Sequence, residues 1–244
     1  MTTGLKHLDS DGATQISGYD WGVVQAGAAS IAKKFGLENI SDRAIGGTAL
    51  QDALTAVPGN DGIDLFQCAL DTATISRPFN LAASVGGSGG SWGATGLVYY
   101  VLTATNATGE TVASIEIAAD VDVVTKRVTL TWEEVTGATG YKLYRSGTSG
   151  TYTTPALCAT IASGGTLTYL DDGSACGAGA PPAANTTGGA APAYGTPPTA
   201  GPGPLSLGEL AVGEQAFRWI FCTVGPAVTE AGNDRLCLEQ YLES

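Results

Sequence analysis

His7 is the only histidine in this 244-residue chain. A hydrolytic triad needs an imidazole base with partners around it, and one histidine in a polar N-terminal stretch does not supply that. Basic side chains are also scarce, with 11 Lys and Arg against 23 Asp and Glu and a formal net charge of −12. Attraction to a phosphate backbone depends on clustered cations, so the balance argues against nucleic acid as a partner, and an anionic membrane surface would repel the chain. No apolar run approaches the ~20 residues that a membrane-spanning helix requires. Among the five cysteines, Cys68, Cys158, Cys176, Cys222 and Cys237, there is no C-x-x-C spacing, and an odd number cannot complete a disulfide framework. The missing spacing argues against a zinc site. These cysteines read as small buried hydrophobes, with two pairings left open. Cys222 and Cys237 become cross-strand neighbours if Val224 faces Arg235 across a hairpin, and Cys158 with Cys176 is the other. The first ten residues lack the charged start, apolar middle and small-residue cleavage site of a secretory signal, so a cytoplasmic start is expected.

Charged residues make up 14% of the chain and glycines number 35, which suits tightly turned β-structure better than salt-bridged helices. The length exceeds the ~100 to 150 residues of one typical domain and allows two cores. Gly86-Gly-Ser-Gly-Gly-Ser91 is a flexible hinge by composition. No Gly-Lys-Ser/Thr follows it, which removes a phosphate-cradling role. A second biased stretch runs from Gly177 to Pro204, rich in Ala, Pro, Gly and Thr. Between them, alternating residues predict strands at 100–106 and 111–118, joined as a hairpin, then at 128–132 and 141–145. A last pair follows at 156–161 and 166–170. Val128, Leu130 and Trp132 fall on one strand face, Tyr141 and Leu143 on another. Asp171-Asp172-Gly173 ends the run with turn chemistry.

Few residues suggest chemistry. Asp64, Asp71, Glu133, Glu134, Asp171 and Asp172 are available as a carboxylate pair for glycoside hydrolysis, but most sit beside turns or at alternating strand positions, where Asp and Glu serve as caps and solvated rims. Asp9-Ser10-Asp11-Gly12 resembles the first half of a calcium loop. The later glutamate such a loop needs is missing, Trp21 standing in its place, and a simple turn is the plainer reading. Of Trp21, Trp92, Trp132 and Trp219, the last two lie in strand patterns and read as core, while Trp92 beside the glycine stretch reads as exposed and open to a stacked sugar. No catalytic residue, metal ligand or cofactor site is predicted.

Tyr100-x-Leu102-x-Ala104-x-Asn106-x-x-Gly109-Glu110, Val128-x-Leu130-x-Trp132 and Gly137-Ala138-Thr139-Gly140-Tyr141-x-Leu143-Tyr144-Arg145 resemble a fibronectin type III module. Their order is permuted, as in modules of tailed-bacteriophage structural proteins. The flanks, Tyr19–Gly27, Lys34–Ile45, Leu205–Glu214, Phe217–Cys222 and Arg235–Tyr241, resemble the opening and closing strands of an immunoglobulin-like domain. Neither flank holds the roughly seven strands of a stable sandwich. The resemblance therefore implies an all-β protein of two β-sandwich domains: a split immunoglobulin-like domain, 1–82 plus 205–244, and a fibronectin type III-like domain, 92–176, inserted through linkers 83–91 and 177–204. It further implies a non-enzymatic component of a phage virion, in a tail, baseplate or fibre, assembled in the host cytoplasm. Other virion proteins, further copies of the chain and a host-surface glycan are its implied partners. A capsid decoration protein and an extracellular carbohydrate-binding or adhesion module are the alternatives.

Overall fold

Alternation of apolar and polar residues dominates the chain, and strands are what it forms. The computed structural model describes residues 4–16, 33–45, 51–56, 65–188, 205–206, 208–223 and 236–241. Tyr19–Gly27 (with Trp21), Asp64, and residues 189–204 of the second biased stretch lie outside these. Among the described residues there is no helix, and all strand pairing is antiparallel. Contacts divide the chain into two compact units, one being Ala73–Gly188 with Val212–Glu214 and the other formed by the residues on either side.

The first unit contains β1 (Leu5–Leu8), β2 (Lys33–Asn39), β3 (Gln51–Ala56), β4 (Leu65–Leu70), β12 (Leu205–Ser206), β13 (Gln215–Thr223) and β14 (Leu236–Tyr241). They form two sheets, ordered β1-β2-β13-β4 and β12-β3-β14. A strand from the C-terminal part of the chain thus completes a sheet begun about 180 residues earlier: Phe217 pairs with Gly36, and Arg218 with both Phe35 and Leu70. Leu37, Ile45 and Leu210 pack together under Leu5 and Ala216. Asn39, fully buried, ends β2. Its amide donates to the carbonyls of Arg43 and Leu210, and its oxygen accepts from the Ser41 backbone and hydroxyl, so this buried polar group is satisfied. Cys222 pairs in register with Phe66, and Cys237 with Thr55. The hairpin that would make Cys222 and Cys237 neighbours is not formed, because β13 and β14 belong to different sheets.

The second unit contains β5 (Ala82–Gly86), β6 (Gly96–Thr105), β7 (Ile117–Val121), β8 (Arg127–Thr131), β9 (Gly140–Ser146), β10 (Leu157–Ile161) and β11 (Thr168–Asp171), in sheets β10-β9-β6-β7 and β11-β8-β5. Tyr100, Leu102 and Ala104 alternate on β6, Tyr141 and Leu143 on β9, and Val128 and Leu130 on β8; all seven are buried. Trp132 follows them into the core and meets the Tyr141 ring edge-on, centroids 5.3 Å apart. The opposite face of β6 and β9 is covered too, where Val101, Tyr144 and Ala156 pack with Ala113, Tyr152 and Leu157. Residues 111–116 run back along β6 without a regular ladder, and the hydroxyls of Thr111 and Ser114 accept the Ala104 and Leu102 amides.

Two expectations are corrected here. Segments 156–161 and 166–170 do not pair with each other: β10 joins β9 and β11 joins β8, in separate sheets. The first proposed linker, and residues 177–188 of the second, are also part of this unit. Residues 82–86 pair with β8 along their length. After a bend at 87–88 the glycine stretch runs against the 124–126 segment, the Gly90 amide donating to the Thr125 carbonyl at 2.7 Å. A Cβ at Gly90 would lie 1.7 Å from the Lys126 carbonyl oxygen, so glycine is there for close backbone approach. After Asp171, Gly177 exchanges two backbone hydrogen bonds with Leu157, and Asn185 and Thr187 bond the backbone of Ile75. The first and last segments of the unit are therefore side by side.

Cys158 and Cys176 form a disulfide across a separation of 18 residues, tying β10 to the segment after β11. The entropy of closing a loop of this size in the unfolded chain corresponds to about 3 kcal/mol. Reduction, or Cys158→Ser with Cys176→Ser, is expected to destabilise the second unit by about that amount, read as a lower urea midpoint with a steeper slope, because the released unfolded chain exposes more surface.

Candidate functional site

At one end of the second unit, the segments at 92–94, 145–155 and 173–176 surround a groove of about 560 Å3. Its position follows from the strands, since β9 ends there at Ser146 and β11 at Asp171, while β6 and β10 begin beside it. Arg145, on its lining, is held in a charge pair with Asp171. Arg145 Nη1 donates to both carboxylate oxygens of Asp171, at 2.8 and 2.7 Å, and Nη2 donates to the Ser174 carbonyl at 2.6 Å. Asp171 also accepts the Tyr100 hydroxyl at 2.9 Å and the Gly173 amide at 3.0 Å. Burial, with the adjacent Asp171 charge next, holds the Tyr100 phenol far above its ordinary value, so it remains a neutral donor.

Trp92 lies beside this pair. The Arg145 guanidinium carbon is 4.8 Å from the Trp92 ring centroid, Nε1 donates to the Lys126 carbonyl at 2.8 Å, and the ring backs so closely onto Gly173 that a Cβ there would come within 2.7 Å of it. The expectation of an exposed tryptophan is revised: Trp92 is half-buried and fixed in orientation, with part of its surface lining the groove.

The 146–152 wall is pinned from below. Glu116 accepts hydrogen bonds from the Ser149 hydroxyl, the Gly150 amide and the Tyr152 hydroxyl. Burial raises the Glu116 carboxyl, but these bonds together outweigh it and hold the group below its ordinary value of 4.5. A carboxyl that protonates at lower pH in the folded state than in the unfolded one contributes its full stability above about pH 4.5 and loses it as pH falls through the folded value. The melting temperature of the wild type is therefore expected to drop on acidification. The gap between wild type and Glu116→Gln should narrow from pH 6 to pH 3, as followed by circular dichroism. Tyr152, raised by burial and then by its bond to Glu116, gives the opposite limb, with stability present below about pH 10 and lost above it.

The other candidates are dispersed. His7 sits on β1 opposite Leu37. Asp71 is buried in the first unit, 4.0 Å from Lys34. Glu133 is exposed and accepts from Asn80, Glu134 is exposed, and Asp172 accepts the Ser174 amide. Asp11 accepts the Ala13 and Thr14 amides and the Thr14 hydroxyl, and the Ser10 amide donates to Asp9. Asp9–Gly12 is thus a turn whose Asp11 oxygens are engaged by the turn itself, and no cluster of metal-ligating side chains occurs among the described residues. Trp132 is core as expected, whereas Trp219 is half-buried beneath the Lys34 ammonium, 5.7 Å from its ring centroid. Sequence reasoning placed Arg145 and Asp171 in strand and turn patterns but did not pair them. Compared with known proteins, the chain matches no family profile, no curated protein and no solved structure.

Proposed function

We propose that this chain is a non-enzymatic structural component of a tailed-phage virion, in a tail, baseplate or fibre, where a split immunoglobulin-like domain docks on the particle and a fibronectin type III-like domain is displayed from it. The observation that carries this reading is the meeting of the second unit's ends. Ile75 accepts from Asn185 and donates to Thr187, and the Asn106 amide caps the Thr187 carbonyl. A unit with adjacent ends fits into a loop of a host domain without disturbing it, an arrangement suited to presentation. The acidic balance suits a body that meets proteins and surfaces rather than nucleic acid. Copies of the chain and other virion proteins would pair with its edge strands.

Residues 73–188 expressed alone are expected to fold, with dispersed amide signals in a nitrogen–proton correlation spectrum; a collapsed spectrum would remove the guest-and-host arrangement. The location is tested by gold-labelled antibody against the chain on phage particles from a lysate carrying its gene. Label on tails or baseplates supports the reading, label on the head replaces it with capsid decoration, and label only on bacterial surfaces refutes it.

A further inference from the structure

The groove at the end of the second unit has one charged side chain on its lining, Arg145, and that side chain is paired. Arg145 spends its Nη1 and Nη2 donors on Asp171 and the Ser174 carbonyl, and Asp171, 3% exposed in its side chain, is surrounded by the donors of Arg145, Tyr100 and Gly173. Arg145, the charged side chain on the lining, is thus already paired with a carboxylate, and no Asp or Glu lines the groove itself. The walls present the opposite chemistry. Thr151 and Thr153 are exposed on the rim, and among the described residues neither hydroxyl has a protein hydrogen-bond partner. Gly93 and Gly147 leave open space, with no atom within 4 Å of a Cβ built on either.

The surroundings are rigid. Glu116 holds Ser149, Gly150 and Tyr152, the Cys158–Cys176 disulfide anchors the 173–176 side, and Trp92 is fixed by its bond to Lys126. A preformed site spares the ligand the cost of ordering it, and about 560 Å3 falls within the ~300 to 1,000 Å3 typical of small-molecule sites. An aromatic side chain on the lining, unspent hydroxyls and a paired charge together describe a receptor for a ligand that is itself uncharged, ring-shaped and covered in hydroxyls.

We propose that this groove binds a neutral saccharide, one sugar ring packing against the part of Trp92 that lines the groove and its hydroxyls bonding Thr151 and Thr153. The inference rests on the display reading above, and it gives the displayed unit a chemical class of partner.

Purified full-length chain is applied to an array of neutral and acidic oligosaccharides, and the best neutral binder is then titrated by calorimetry. The wild type is expected to bind neutral glycans in preference to sialylated or uronate-bearing ones. Thr151→Val with Thr153→Val is expected to weaken binding by about tenfold or more. Gly147→Trp, built into open space, should fold as the wild type does by circular dichroism and abolish binding. A blank array, a preference for acidic glycans, or undiminished affinity in Gly147→Trp would each overturn the proposal. Because the array uses purified protein, a blank array beside labelled tails refutes the groove alone, and a positive array beside unlabelled particles refutes the location alone.

Discussion

Replacing Trp132 with alanine is expected to cost the second unit about 3 to 5 kcal/mol, the range for removing a large aromatic from a packed core. The indole is only 5% exposed and stands at the end of β8, where its backbone amide donates to the Leu167 carbonyl at 3.2 Å. Its ring meets Tyr141 edge-on at 5.3 Å, an arrangement worth about 0.5 to 1.5 kcal/mol beyond area burial. Tyr141 is fully buried, and its hydroxyl accepts the Val135 amide at 3.0 Å. Truncation therefore leaves a cavity and loosens the ring that anchors the β8–β9 connection. Against a typical domain stability of about 5 to 15 kcal/mol the loss is large. Two units need not unfold together, so it should be measured by hydrogen exchange of the β8 and β9 amides, which reads the second unit by itself. Trp219→Ala, removing a half-buried ring at a sheet face, is expected to cost less. A Trp132 effect below about 1 kcal/mol would place that residue outside the core.

Trp132 was legible in the sequence for the same reason that Leu102 and Leu143 were: a strand with one buried face writes itself in period two. The β5 strand was not. Ala82-Ala-Ser-Val-Gly86 offers small side chains and one valine, too weak an alternation to separate from the glycine stretch that follows. Pairing was less legible still. The sequence shows 156–161 and 166–170 as strand-like, yet nothing local decides that each crosses to a different sheet, because that choice is settled by which face of the core each covers. Arg218, 1% exposed on β13, inverts the expectation that a charged residue between apolar neighbours points to water; strands pair with β13 on both sides. The groove was partly visible. Trp92 stood out as chemistry-bearing, but its partners lie 53 and 81 positions further along the chain at Arg145 and Gly173. The Cys158–Cys176 pairing could only be left open, since spacing does not fix connectivity.

Asp171→Ala is expected to destabilise the second unit by about 3 to 5 kcal/mol, the penalty for removing one partner of a buried ion pair. The loss has two parts. Arg145, 12% exposed in its side chain, keeps its charge with the Ser174 carbonyl as its remaining hydrogen-bond acceptor. Tyr100, fully buried on β6, is left with a hydroxyl donor and no acceptor, itself a cost of about 1 to 3 kcal/mol. The pair joins the two sheets, Arg145 and Tyr100 coming from one and Asp171 from the other, so its loss is felt across the core. Removing both charges separates these contributions. Arg145→Met with Asp171→Leu keeps the volume and eliminates the stranded cation, and it is expected to recover most of the loss, while adding Tyr100→Phe removes the orphaned hydroxyl as well. Urea unfolding of the wild type, Arg145→Met, Asp171→Leu and the double variant closes the cycle and yields the coupling energy, with Asp171→Ala read beside it. If Asp171→Ala costs no more than the combined change, the Arg145–Asp171 pair contributes nothing specific to joining the sheets. If it costs several kcal/mol more, the penalty lies in the uncompensated charge and donor, and the paired charge on the groove lining is built into the stability of the unit that carries it.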